Sequence, residues 1–249
     1  MKKILNKSNL QFIAAAAMFI DHISFLAPSY AVLYLMHFIS RITIVIMCYF
    51  VAEGYYHTHN LNKYVLRLGV FAAISQIPFY LYKIGAVPTS LYYFIAGNYS
   101  SRNVIFTLFV GLCLLTVLKS QYKYRYKIIA VICSFFLVRN SDWSYAALMF
   151  ILAFGLLHGN YKKQVSAFIT ALFIYVIYKH LGLTITFART GDIDIISLLN
   201  SVSYFGCLLA LPILKMYNGE RGSAPKYALY IFYPAHLIIL YIVKLLLFL

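Results

Sequence analysis

The sequence predicts an all-α fold: a polytopic membrane helical bundle of about nine transmembrane helices (eight to ten) that forms a single domain over residues 1–249. Two properties of the composition lead to this prediction. Of the 249 residues, 63% are hydrophobic and only 11% are charged, against about 25% charged in ordinary soluble domains. Mean hydropathy is +0.81, so the chain has too little polar surface to cover a water-facing exterior. A third observation is that apolar runs of helical length recur along the chain.

Nine hydrophobic runs are separated by polar residues, glycine or proline, which end helices or mark loops. The fifth run is too short to cross a bilayer of about 30 Å unaided, so it is expected to be tilted, extended by residues 122–126, or partly re-entrant. The first run contains Asp21 and His22 and no small-residue cleavage motif, so it is interpreted as an uncleaved helix. The predicted spans are residues 8–27, 31–52, 64–83, 102–118, 127–139, 143–158, 163–181, 195–214 and 226–248.

The charge distribution predicts the orientation. The chain carries 21 Lys and Arg against 6 Asp and Glu. With a cytoplasmic N-terminus, 14 of the cations fall in cytoplasmic segments and 6 on the opposite side, as the positive-inside rule expects. The net charge of +15 therefore indicates membrane topology, and no nucleic acid partner is expected. The four cysteines stand singly, which indicates neither a disulfide framework nor a zinc site.

Ionisable residues inside spans are costly unless they face a partner or a water-filled cavity, so each one is a candidate functional residue. Asp21 and His22 lie in the first helix, after a run of four alanines. His37 and Arg41 share one face of the second helix, four residues apart. Arg41 cannot lose its charge, and Asp21 is its expected partner because both lie at similar depths. The alternative is a purely structural ion pair.

Glu53 and His57 lie four residues apart at the cytoplasmic end of the second span. This spacing places both side chains on one helix face. They form either a ligand-binding site or a solvated pair at a helix end, with Arg67 as a further expected partner of Glu53.

The later helices carry further polar candidates. Gln76 precedes Pro78, and it either satisfies the backbone carbonyl that the proline frees or joins the site. Asn103 is expected at the outer surface, as a helix cap or as a substrate contact. Tyr233 and His236 flank a proline in the last helix, which favours an imidazole that points inward.

Several short motifs follow one another along the chain in a characteristic order. They are Ile20-Asp21-His22-Ile23, Ser40-Arg41-Ile42, Glu53-Gly54 with His57-Thr58 and Asn60, Lys63-Tyr64, Arg67-Leu68, Ser75-Gln76-Ile77-Pro78, Asn103-Val104, Phe106-Thr107-Leu108, Tyr233-Pro234 and His236-Leu237. This set resembles the TraX family, whose members are named for acetylating the N-terminus of conjugative pilin, and the resemblance covers nearly the whole chain. The family in turn looks related to the broader group of transmembrane acyltransferases.

The resemblance implies an acetyl-CoA-dependent acyltransferase in a bacterial inner (plasma) membrane, multi-pass and with its N-terminus in the cytoplasm. Such an enzyme moves an acetyl group from cytoplasmic acetyl-CoA to an extracytoplasmic amine or hydroxyl acceptor on a pilin, another peptide, a glycan or a lipid. The expected partners are therefore the lipid bilayer, acetyl-CoA and that acceptor. No metal is expected, because acyl transfer from a thioester needs a base and a group that stabilises the oxyanion.

The same interpretation gives roles to the candidate residues. His22 is the base, and Asp21 holds Arg41 or orients the site. Adjacent helical residues point about 100 degrees apart, so Asp21 and His22 are not expected to bond each other. Cytoplasmic cations are expected to bind the CoA phosphates. The expected substrate-binding and cofactor-binding residues are Glu53, His57, Lys63, Arg67, Gln76, Asn103, Tyr233 and His236, with Arg125 as a further phosphate ligand.

Two other classes of function fit the same polar residues. A transporter or flippase would use Asp21, Arg41, Glu53 and His236 as a polar pathway, although the sequence has no evident inverted repeat. A structural or assembly subunit would use them only to lock helices together.

Overall fold

The computed structural model describes residues 3–86, 101–190 and 195–248. These residues form helical segments at each of the nine predicted places, so the predicted all-α fold class is confirmed. Three segments are broken into shorter helices, and 3₁₀ turns follow α1 (Ser24–Leu26) and α10 (Tyr204–Leu209). The helices are α1 (Lys7–Ile23), α2 (Tyr30–Ser40), α3 (Ile42–His57), α4 (Leu61–Ile74), α5 (Gln76–Ile84), α6 (Val104–Lys119), α7 (Tyr124–Val138), α8 (Ser144–Leu156), α9 (Tyr161–Thr190), α10 (Ile195–Ser203), α11 (Ala210–Lys215) and α12 (Ala228–Phe248).

Within the described ranges, six segments are long and apolar enough to cross a membrane. Helices α6 and α8 are apolar but contain only 16 and 13 residues, which is about 24 and 20 Å at 1.5 Å per residue. Helix α7 starts at Tyr124, so the short fifth run is extended at its N-terminal side, one of the three expected solutions. The spans are those of a membrane protein.

Many large apolar side chains point outward from the bundle. Phe12, Leu66, Phe136 and Leu246 are each at least two-thirds exposed. A water-soluble protein rarely exposes apolar side chains on this scale, whereas lipid solvates them without cost. The exposed surface of the helices therefore agrees with the composition of the chain.

The helix starts follow from local sequence. Asn and Ser residues precede several helices, and their side-chain oxygens accept hydrogen bonds from backbone N–H groups of the first turn, which have no partner inside the helix. At α1 this interaction is reciprocal, because Asn6 and Asn9 each accept from the other's backbone N–H. The other such capping residues are Ser29, Asn60, Asn103 and Asn160.

The chain divides into two compact units, and the first comprises Met1–Met47 and Gly159–Pro225. In this unit α2 packs against α1, α10 and the 3₁₀ turn Tyr204–Leu209. Gly206 lies directly against α2, since a Cβ atom at this position would overlap the backbone carbonyl oxygen of Phe38. Only glycine fits this approach of the two backbones.

The second predicted span is divided at Arg41, which lies between α2 and α3. The sequence predicted a continuous helix over 31–52. The break leaves Ser40 and Arg41 on a tightened turn whose backbone polar groups have fewer helical partners.

The second unit comprises Cys48–His158 and Lys226–Leu249. Helix α6 is largely buried and packs against α4, α7 and α8. Small residues allow the close contact of α6 with α8: a Cβ atom on Gly111 would clash with Ile151, and one on Gly155 would clash with Leu115. Helix α12 packs against α5.

Candidate functional site

The Asp21 carboxylate is the centre of a polar cluster in the first unit. Its Oδ1 atom accepts a hydrogen bond from the Ser40 hydroxyl at 2.6 Å and lies 2.9 Å from His37 Nδ1. Arg41 Nη1 lies 3.8 Å from the same oxygen. The side chains of Asp21 and Arg41 are 27% and 12% exposed, so this charged group is held largely away from solvent. The expected pairing of Asp21 with Arg41 is therefore present.

The local sequence explains why these groups meet. Ala14 and Ala17 are buried on α1, and their small side chains permit close approach of a neighbouring helix. The Thr43 hydroxyl donates to the Ala14 carbonyl oxygen at 3.0 Å and ties the start of α3 to α1. Ser40 and Arg41, at the break between α2 and α3, meet the Asp21 carboxylate about two turns after Ala14 on α1.

Arg41 also contacts residues far away in the sequence. Its Nη2 donates to Ser203 Oγ at 3.1 Å, and its guanidinium carbon lies 5.0 Å from the centroid of the Tyr204 ring. The Ser203 hydroxyl donates in turn to the Asn200 carbonyl oxygen at 2.6 Å. Sequence reasoning missed Ser40 and Ser203, and it noted His37 only as sharing a face with Arg41.

His22 lies beside this cluster on α1. Its Nδ1 is 2.8 Å from the carbonyl oxygen of Met18, one turn earlier. A carbonyl oxygen only accepts, so Nδ1 carries the proton and the neutral ring has its lone pair on Nε2. This is the protonation form that a general base requires.

A second cluster lies at the end of α3, in the second unit. Glu53 Oε2 is 3.1 Å from His57 Nε2, and Glu53 Oε1 is 3.0 Å from His158 Nε2. The expected Glu53–His57 contact is present. The expected contact of Glu53 with Arg67 is not formed among the described residues, because both carboxylate oxygens face the histidines. Sequence reasoning missed His158, which lies 105 positions after Glu53.

Gln76 and Asn103 bond each other at the break between α4 and α5. The Asn103 amide donates to Gln76 Oε1 and to the Ala72 carbonyl oxygen, both at 2.7 Å. Gln76 Nε2 donates to the Ser101 carbonyl oxygen at 3.0 Å. Asn103 is fully buried, and its side-chain oxygen accepts from the Phe106 N–H, so the expected helix cap is present. Its expected place at the outer side of the membrane stays a prediction.

Lys63 lies on the first turn of α4 and Arg67 one turn further, at the middle of the helix, and the two side chains have different surroundings. The Arg67 guanidinium lies 5.2 to 6.0 Å from the ring centroids of Tyr64, Tyr227 and Tyr230. Three aromatic faces therefore hold its charge by cation–π attraction. Lys63 is exposed.

Tyr233 and His236 are both buried in α12. His236 Nδ1 lies 2.8 Å from the Phe232 carbonyl oxygen, and its ring stacks on the Phe232 ring at 4.8 Å. The Tyr233 ring meets the His236 ring edge-on at 5.7 Å. The imidazole is thus held in one orientation by its own helix, and whether Tyr233 and His236 bind substrate stays a prediction.

Apolar helices of spanning length and a largely buried ion pair between Asp21 on α1 and Arg41, which follows α2, define a polytopic membrane protein with a polar site built into its helices. The chain belongs to the TraX family, whose model, described as TraX protein, matches residues 6–244.

One relative is similar over nearly its whole length. The chain is 29% identical over 238 residues to the probable fimbrial assembly protein FimC, serogroup H1, of Dichelobacter nodosus, and the match covers 93% of this chain and 92% of that protein. No solved structure matches the chain.

Proposed function

We propose that this protein acts in pilus assembly or modification, and that it does so as a membrane-embedded acetyltransferase. The family membership and the name of the Dichelobacter nodosus relative support the pilus role. The observation that carries the enzymatic proposal is the Asp21–Arg41 ion pair together with the imidazole of His22, which follows Asp21 on α1. Such charged groups inside spans are expensive and are typical of functional sites.

The proposed reaction transfers an acetyl group from acetyl-CoA to an amine or hydroxyl. The acceptor nitrogen or oxygen attacks the thioester carbonyl carbon, and its proton passes to His22 Nε2. The carbon–sulfur bond then breaks, and the CoA thiolate leaves and takes the proton back from the imidazolium. The bond from Nδ1 to the Met18 carbonyl holds the ring in one tautomer during this cycle.

Asp21 and Arg41 supply charge at fixed positions in this proposal. The carboxylate stabilises the imidazolium that forms on the neighbouring His22, and the guanidinium attracts the oxyanion of the tetrahedral intermediate. His37 is the competing base, because its Nδ1 lies on Asp21. His37 Nδ1, the Ser40 hydroxyl and Arg41 Nη1 all face the same carboxylate oxygen, so the His37 ring is held as part of the ion-pair cluster. We therefore assign the base to His22 and a positioning role to His37.

The acyl donor is proposed to enter from the cytoplasmic side. The positive-inside distribution supports a cytoplasmic N-terminus, and with this orientation we expect the first turn of α4 to lie on the cytoplasmic side. Lys63 offers an exposed ammonium on that turn, and Arg67, one turn further into α4, offers a guanidinium already ordered by three tyrosines, for the phosphates of CoA. A pilin-like peptide is the first acceptor to test, followed by glycans and lipids.

Transfer of labelled acetate tests the activity. The purified protein in lipid nanodiscs is incubated with acetyl-labelled acetyl-CoA and either a pilin-like peptide or an envelope extract. Acetyltransfer predicts protein-dependent label in an acceptor. If no acceptor is labelled and the protein instead moves anions or protons across sealed vesicles, the polar residues form a transport pathway. If neither occurs, they are structural in an assembly subunit.

Cysteine labelling tests the proposed orientation. Ser29 and Thr58 flank the span formed by α2 and α3. Cysteines at these two positions are introduced one at a time into a Cys133→Ser background, because Cys133 is an exposed native thiol. In sealed vesicles, a membrane-impermeant thiol reagent is expected to reach Cys at 58 only from the cytoplasmic face and Cys at 29 only from the other. Labelling of both from one face contradicts the proposed route of the donor.

A further inference from the structure

The cluster of Glu53, His57 and His158 has the donor set of a transition-metal site. It offers one carboxylate and two imidazole nitrogens, and the donor atoms all lie within 4.8 Å of one another. Two imidazoles with one glutamate are the ligands of several catalytic zinc sites, in which the fourth position holds water. We propose that these three residues bind one divalent transition metal ion, Zn²⁺ by preference, although the sequence led to the expectation that no metal is used. The proposal is independent of acetyl transfer.

The distances suit such an ion. Ligand atoms around a tetrahedral Zn²⁺ lie about 3.3 Å apart, given bond lengths of about 2.0 to 2.1 Å. The two Glu53-to-histidine separations are 3.0 and 3.1 Å. The His57 side chain is 72% exposed, so it rotates toward a bound ion without displacing packed neighbours. Binding requires each Nε2 to present its lone pair, and the ring proton then resides on Nδ1.

The surroundings pre-orient the other two ligands. His158 stacks on the Tyr56 ring, with centroids 3.9 Å apart, and the Tyr56 hydroxyl donates to the Gly155 carbonyl oxygen at 2.6 Å. The side chains of Glu53 and His158 are only 17% and 25% exposed. The ammonium of Lys119 lies over the Tyr56 ring and donates to the Leu156 carbonyl oxygen. Glu53 supplies the negative charge that a divalent ion requires.

A bound ion would also connect the ends of two helices. Glu53 and His57 lie on the last turns of α3, whereas His158 follows the end of α8. A metal ion would replace two hydrogen bonds with three coordinate bonds and so join the ends of both helices. Its remaining position would face solvent on the side of the exposed His57, open to water or another small ligand.

Metal binding to the purified full-length protein tests the proposal directly. The protein carries no histidine tag, is stripped with a chelator in detergent, and is titrated with Zn²⁺ against a chromophoric competitor. We expect saturation at one equivalent. Co²⁺ is expected to give the intense visible bands of a four- or five-coordinate ion, and Zn²⁺ to raise the melting temperature of the wild type.

Three ligand variants and one matched control localise the site. Glu53→Gln, His57→Ala and His158→Ala are each expected to lower the affinity for Zn²⁺ at least about 100-fold. His59→Ala removes an exposed histidine two positions from His57 and is expected to bind as the wild type does. His57→Ala is the decisive variant, because an exposed side chain can be removed without unfolding the protein. Absence of saturable binding, or equal affinity in His57→Ala and His59→Ala, overturns the proposal and leaves a hydrogen-bonded cluster.

Discussion

Neutralising one member of the Asp21–Arg41 pair leaves the other as a buried charge. At the observed 3.8 Å, two unit charges attract each other by about 4 kcal/mol at an effective dielectric constant of about 20. Breaking a buried pair by removing one partner costs about 3 to 5 kcal/mol of unfolding free energy. We expect Asp21→Asn to lose an amount in this range, because the Arg41 guanidinium loses its carboxylate counter-charge, whereas the Ser203 hydroxyl and the Tyr204 ring beside it are neutral.

The structure predicts that the two single variants differ. In Arg41→Met the carboxylate keeps the Ser40 hydroxyl and His37. The carboxylate thus retains two hydrogen-bonding partners, so this variant is expected to lose less stability than Asp21→Asn. The double variant removes both charges and is expected to recover much of the loss, while acetyl transfer stays low in all three variants.

Denaturant unfolding of the purified variants in detergent measures these differences. Arg139→Met is the matched control, since it makes the same change at an exposed arginine of α7's C-terminal end and is expected to change stability by less than about 0.5 kcal/mol. A double variant no more stable than the worse single variant would refute the coupling of the two charges.

Two further changes test the packing on which the site rests. Asn103→Ala removes the cap of α6 and the side-chain donor to the Ala72 carbonyl, so we expect a loss of about 3 kcal/mol of unfolding free energy. The matched variant Asn160→Ala removes an exposed cap, and we expect it to lose about 1 kcal/mol. Gly206→Ala brings a methyl group into a carbonyl oxygen of α2 and should destabilise the protein strongly. A Cβ atom at Gly182 on α9 would meet no other atom within 4 Å, so Gly182→Ala should be neutral or stabilising. Equal melting temperatures for the two alanine variants would contradict the close approach at Gly206.

The helical architecture was predictable because a bilayer imposes length and apolarity on every span. Composition and nine hydrophobic runs therefore predicted the elements. The break at Arg41 was not predicted, since an uninterrupted apolar run has the same composition whether the helix is continuous or bent. The break at Ser75 agrees with the kink expected from Pro78 in the same run. The pairing of Asp21 with Arg41 could be predicted because both residues lie at similar depths in the first two predicted helices.

The remaining partners depend on tertiary contacts that no local pattern encodes. Ser203 lies 162 positions after Arg41, and His158 lies 105 positions after Glu53. Asn103 was recognised as a cap or site residue, but its burial follows from the partner it finds at the helix break. Interior polar residues are thus identifiable from sequence, whereas their partners require the fold.

The turnover of the His22→Ala variant tests the central claim most directly. Acetyl transfer from labelled acetyl-CoA is measured for the wild type, His22→Ala, His37→Ala and the exposed control His59→Ala, each at matched protein and lipid content. We predict that His22→Ala lowers kcat at least about 100-fold with a melting temperature close to that of the wild type, that His37→Ala loses less activity, and that His59→Ala is unchanged. Near-full turnover in His22→Ala, or a greater loss in His37→Ala than in His22→Ala, would contradict the assignment of the base.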